Sequence, residues 1–61
     1  MTSQEIFEEM QQLWTIVEVN NKRFQDKGVK AAGSRARKAI NEIKKLAGKY
    51  RSTCLSESKV Q

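Results

Sequence analysis

The sequence predicts an all-α protein, an antiparallel two-helix hairpin that dimerises into a four-helix bundle. Three observations carry this expectation. Apolar residues recur at helical spacing in two long runs. One break, Asp26-Lys27-Gly28, separates the runs. The 61 residues include no Pro and only three Gly, and a chain rich in Ala, Glu, Lys, Gln and Ile favours helix.

The first helix is expected over about residues 3–25. Its seam is Ile6, Met10, Leu13, Val17 and Phe24, and Asn20 fills the skipped position. Phe7 and Trp14 flank the seam, so these side chains cover an arc of roughly 120°, a core-facing stripe. Ile16 lies just off one edge, and Val19 points the other way. Thr2 and Glu5 have capping-box spacing, and the early acids suit the positive end of the helix dipole. Asn20 has two open readings: a seam residue that fixes register, or a solvated edge residue.

The turn is expected at about residues 26–28, with Gly28 in the left-handed conformation that ends many helices. A turn this short sends the next helix back antiparallel. The second helix is expected over about residues 29–53, with the seam Val29, Gly33, Ala36, Ile40, Ile43, Ala47, Tyr50 and Cys54. Ala32, Ala39 and Leu46 flank it. Small residues near the turn leave space for a large neighbour, and Phe24 is close in sequence to fill it. A helix-interior glycine costs about 1 kcal/mol relative to Ala, so Gly33 should make a contact that offsets this. Residues 54–61 lose the periodicity and are expected to fray.

The chain forms one domain, residues 1–61, and its size makes a lone core marginal. One Cys and no His exclude a disulfide staple and a structural zinc. A hairpin also cannot cover both sides of stripes this wide. A homodimer is therefore the expected source of further stability. There is no apolar run long enough to span a membrane and no secretory pattern, and one unpaired Cys fits a reducing, cytoplasmic compartment. Cys54 continues the seam; the alternative is a disulfide between two copies across a dimer axis.

Charge is segregated. Residues 1–21 carry Glu5, Glu8, Glu9 and Glu18 and no base, whereas residues 22–51 carry eleven bases against Asp26 and Glu42. Residues 52–61 are neutral, and the whole chain is +5. With Ala36 at zero on the second helix, Lys30, Arg37, Lys44 and Arg51 fall at about 60–120°. Lys38, Lys45 and Lys49 fall at about 180–220°. Ser34, Asn41 and Gly48 form a low strip between the rows, and Arg35 sits on the opposite flank. Two basic rows around small residues suit a phosphate backbone without base reading. The plain alternative is a solvated helix face, although such faces usually mix both signs. Phe7, Trp14, Phe24 and Tyr50 lie on or beside the seams, as core residues rather than platforms for single strands.

No imidazole, paired carboxylate, Gly-rich phosphate loop, Cys pair or calcium loop is present in the sequence. No enzyme, metal, cofactor or small-molecule substrate is expected.

The stretch Lys27-Gly28-Val29-Lys30-Ala31-Ala32-Gly33-Ser34-Arg35-Ala36-Arg37-Lys38 resembles the chlamydial-type histone-like protein family. The resemblance continues through Ile40, Ile43-Lys44, Leu46-Ala47 and Tyr50-Arg51, covering about residues 7–51. It implies a bacterial nucleoid-associated protein that binds double-stranded DNA, without the winged-helix fold of linker histones. It also implies that Lys27, Lys30, Arg35, Arg37 and Lys38 are basic motif residues. Gly28 and Gly33 would serve the turn and close packing. Val29 stands where that motif has Asn, which leaves the second helix less well capped. Residues 52–61 are neutral rather than a Lys- and Ala-rich tail, as in a short, tail-less member. With the basic rows, the expected DNA-binding set is Lys27, Lys30, Ser34, Arg35, Arg37, Lys38, Lys44, Lys45, Lys49 and Arg51.

Two other readings stay open. A dimeric hairpin of this size resembles, in architecture, the plasmid copy-number regulator Rop, which implies RNA as the partner. A structural adaptor is the other, using the basic body for an acidic partner. A membrane-surface role fits less well, because the first helix is acidic.

Overall fold

Two helices follow from the two periodic runs. The computed structural model describes residues 1–60, with Lys59 and Val60 described as backbone only. Helix α1 spans Ser3–Lys27 and α2 spans Lys30–Val60. They pack along their length as a hairpin, a rod with Cα extents of 49 × 14 × 14 Å. No strand occurs among the described residues.

Both ends of α1 are closed by its own sequence. The Thr2 hydroxyl accepts from the Glu5 N–H at 3.2 Å, and the Thr2 N–H donates to Glu5 Oε1 at 2.9 Å. This is the reciprocal capping box expected from the spacing. The backbone and side-chain hydrogen bonds from Thr2, in that order, lower the Glu5 pKa. At the other end Gly28 has φ 65° and ψ 28°, and its N–H donates to the Phe24 carbonyl at 2.9 Å. The reversal is tighter than expected. Asp26 and Lys27 belong to α1, and only Gly28 and Val29 separate the helices.

Helix α2 begins without a side-chain cap. The Val29 carbonyl accepts from the N–H groups of Ala32 at 3.1 Å and Gly33 at 3.3 Å, which puts Val29 at the N-cap position. Valine offers no acceptor to the free N–H groups, and the first turn carries no acid. Val29→Asp should add a cap and a favourable charge at the dipole. The expected gain is about 1 kcal/mol, or roughly 4–8 °C in Tm, read by thermal denaturation. An unchanged midpoint would show that the missing cap is not a weakness.

The buried seam consists of Ile6 and Val17 from α1 and Ala32, Ala36 and Ala39 from α2, together with Asn20, so near the turn the α2 seam runs through the expected flanking alanines, and the expected seam residues Val29 and Ile40 are exposed. Asn20 is thus a seam residue and not a solvated edge residue. Its Nδ2 donates to the Ile16 carbonyl at 2.8 Å, a bond internal to α1 that offsets the cost of burying the amide. The expected contact at Gly33 is also present. A Cβ there would lie 2.9 Å from Phe24 Cδ1, so the ring occupies space that only glycine leaves open.

Two further expectations need correction. The C-terminal residues do not fray at 54; α2 continues through Val60, while Gln61 lies outside the described residues. Periodicity is lost because a carboxylate takes the next seam position after Cys54. Glu57 Oε2 accepts from the Ser3 N–H at 3.0 Å, and Glu57 Oε1 accepts from the Ser3 hydroxyl at 2.5 Å. A residue that reads as a gap in an apolar stripe thereby ties the end of α2 to the start of α1. The second correction concerns the aromatics. Phe7, Trp14 and Phe24 are all more than 40% exposed, and only Tyr50 is half-buried. Alanines close the seam, so side chains beside it stay on the flank.

The Ser3 side-chain and backbone bonds lower the Glu57 pKa. A carboxyl with a lowered folded-state pKa stabilises the fold above its unfolded value, about 4.3. That contribution is lost as pH falls through the folded-state value. Thermal midpoints should therefore drop between about pH 5 and pH 3. Glu57→Gln should flatten that dependence, and an equally steep loss in the variant would refute the clasp as its source.

Candidate nucleic-acid interface

The seam decides which side of α2 meets solvent. Ala32, Ala36 and Ala39 turn toward α1 and are buried. Ser34, Asn41 and Gly48 are about 170° from them around the helix, so they form the outer ridge of the hairpin. Lys30, Arg37, Lys44 and Arg51 line one side of this ridge, and Lys38, Lys45 and Lys49 the other. All seven bases are exposed. Ser34 is half-buried, Asn41 and Gly48 are exposed, and a Cβ on Gly48 would meet nothing within 4 Å.

Acids do little to neutralise this face. The one ion pair among the described residues joins Lys45 Nζ to Glu42 Oε1 at 3.7 Å. Glu5 and Glu57 are engaged at the start of α1 instead. The hairpin therefore has a positive edge along α2, a field that attracts polyanions.

Not every expected site residue joins that edge. Arg35 lies on the flank, in a shallow groove that Lys38, Asn41 and Lys45 of the edge line together with Leu13, Ile16 and Ala39. Lys27 is the last residue of α1, grouped with Val19, Lys22, Arg23 and Asp26. Lys22 and Arg23 add bases that the expected set omits. The rise in charge that begins at residue 22 marks them in the sequence.

Tyr50 has its pKa raised, first by a hydrogen bond with Cys54, then by the charge on Cys54, desolvation and the Glu57 carboxylate. Cys54 is a free thiol, half-buried at the position the seam assigns it. No cluster of metal-binding side chains occurs among the described residues. No described helix is long and apolar enough to cross a membrane.

A family model described as histone H1-like protein Hc1 matches residues 4–60. The chain belongs to the Hc1 histone H1-like family. The match takes in both helices, including the part of α2 beyond residue 53. Membership in Hc1 suggests a DNA-binding protein of the nucleoid with a structural rather than an enzymatic role. No curated protein and no solved structure matches the chain.

Proposed function

We propose that this protein is a nucleoid-associated, cytoplasmic histone-like protein that binds duplex DNA without strong sequence specificity, as a homodimer. The observation that carries the reading is the outer edge of α2, where seven exposed bases flank a strip of small residues. Lysine and arginine attract phosphates whatever the base sequence, and each contact releases counterions. The exposed aromatics lie on the flank, away from the strip, so base stacking is not the main contact. Family membership points the same way.

The test is the affinity for a mixed-sequence DNA duplex at several salt concentrations. The expected log–log slope has a magnitude of about 4–8, the mark of several neutralised phosphates. A slope near zero, or no binding at low salt, would overturn the reading and leave a protein partner for the basic edge.

A further inference from the structure

The outer edge of α2 has a cross-section as well as a charge. Its two basic rows stand about 110° apart, and the strip between them points away from α1. A helix with side chains is about 10–12 Å across, so rows 110° apart stand on the order of 8–10 Å apart on that cylinder, and extended Lys and Arg side chains carry their charged heads somewhat further out. The major groove of B-form DNA is about 12 Å wide, with a phosphate strand along each lip. Between the rows the helix is thin: Ser34, Asn41 and Gly48 follow one another at seven-residue spacing, and Gly48 has open space above it. The buried alanines set α1 behind α2, and α1 reaches the edge only from the side, with Leu13 and Ile16 in the groove that Asn41 lines and Ile6 in the groove that Gly48 lines.

We infer that α2 seats its Ser34–Asn41–Gly48 ridge in the major groove of the duplex. Lys30, Arg37, Lys44 and Arg51 meet one phosphate strand, and Lys38, Lys45 and Lys49 meet the other. This rests on the duplex-binding reading and deepens it by naming the groove. From Lys30 to Arg51 the first row runs roughly 31 Å, close to one duplex turn of about 34 Å. A straight helix meets a curving groove most deeply at its middle. Asn41 therefore enters furthest, while Lys30 and Arg51 reach phosphates as the groove turns away. Small side chains at the front allow close approach but hold few groups for reading bases, so the seating is tolerant of sequence. The same geometry discriminates against duplex RNA, whose A-form major groove is too deep and narrow for a helix.

Dimethyl sulfate probing of the full chain bound to a mixed-sequence duplex separates the grooves. The reagent methylates guanine N7 in the major groove and adenine N3 in the minor groove. At saturation, guanine N7 methylation should fall several-fold across the bound duplex while adenine N3 stays reactive. A matched RNA duplex should compete at least tenfold less well than DNA. Bound DNA with reactive guanine N7, protected adenine N3, or equal competition by RNA would overturn the groove assignment and leave duplex binding standing. No DNA binding at low salt would overturn both.

Discussion

Replacing Arg37, Lys38, Lys44 and Lys45 with Ala should weaken duplex DNA binding by roughly two to three orders of magnitude at about 0.1 M salt. The four side chains sit at the middle of α2, two on each basic row, and all are exposed. None is in the buried seam, and Ala is the best helix former, so helicity and Tm should hold or rise slightly. Lys45 gives up its ion pair with Glu42, but an exposed pair of this kind is worth at most a few tenths of a kcal/mol. If the four contact phosphates, the salt slope should shrink by about 3.6 in magnitude, since each contact contributes about 0.9. Circular dichroism confirms the fold, and a salt series of binding isotherms gives the slope. A folded quadruple variant with unchanged affinity and slope would remove the α2 edge as the binding site. Arg35→Ala and Lys27→Ala make the comparison, because both positions lie off that edge. Either change should lower affinity less than the loss of one residue of the two basic rows.

The pattern of what the sequence reveals has a physical basis. The Thr2–Glu5 box, the Gly28 cap and the Gly33–Phe24 contact depend on residues close in the chain, with backbone geometry or size dictating the choice. Each is legible from spacing alone. The α2 rows are equally legible, because a seven-residue repeat keeps a side chain on one face wherever the helix packs. The Ser3–Glu57 clasp joins residues 54 apart. Its carboxylate interrupts the apolar stripe, so periodicity reads it as an end and not as an attachment. The aromatic stripe shows a related limit. Helical projection places Phe7 and Trp14 beside the seam but does not say how much of a wide stripe one neighbour can cover. Arg35 and Lys27 entered the candidate set through the motif rather than the face, and those two fall off the ridge.

That uncovered stripe sets the second large effect, at Trp14. The chain exposes 4993 Å². A compact protein of 7.0 kDa exposes about 4,000 Å². The excess is about 1,000 Å², near the roughly 800 Å² that each partner buries in an ordinary interface. The shape accounts for it: the Cα radius of gyration is 14.4 Å, against about 10.5 Å for a compact chain of this length. Much of the apolar surplus is gathered on one flank. Phe7, Met10 and Trp14 line a shallow groove with Ile43, and the groove beside it holds Phe24, Gly33, Ala36 and Ile40. Trp14 is 53% exposed at the centre of this flank, and Ile6 is the only large side chain among the described residues with almost no exposure. A second copy is the proposed cover. Lys30 and Arg37 rim the flank on the α2 side and Glu18 on the α1 side. The ridge of Ser34, Asn41 and Gly48 faces away from α1 and stays free in that arrangement. Trp14→Glu should then convert a dimer to a monomer and lower Tm by ten degrees or more, on the order of 2–4 kcal/mol for a carboxylate placed in an apolar interface. The wild-type Tm should rise with protein concentration, because dimer formation is linked to folding, and the variant's should not. Sedimentation gives the mass directly. A wild-type chain that sediments as a 7.0 kDa monomer, with a Tm independent of concentration, would leave the flank uncovered by a second copy.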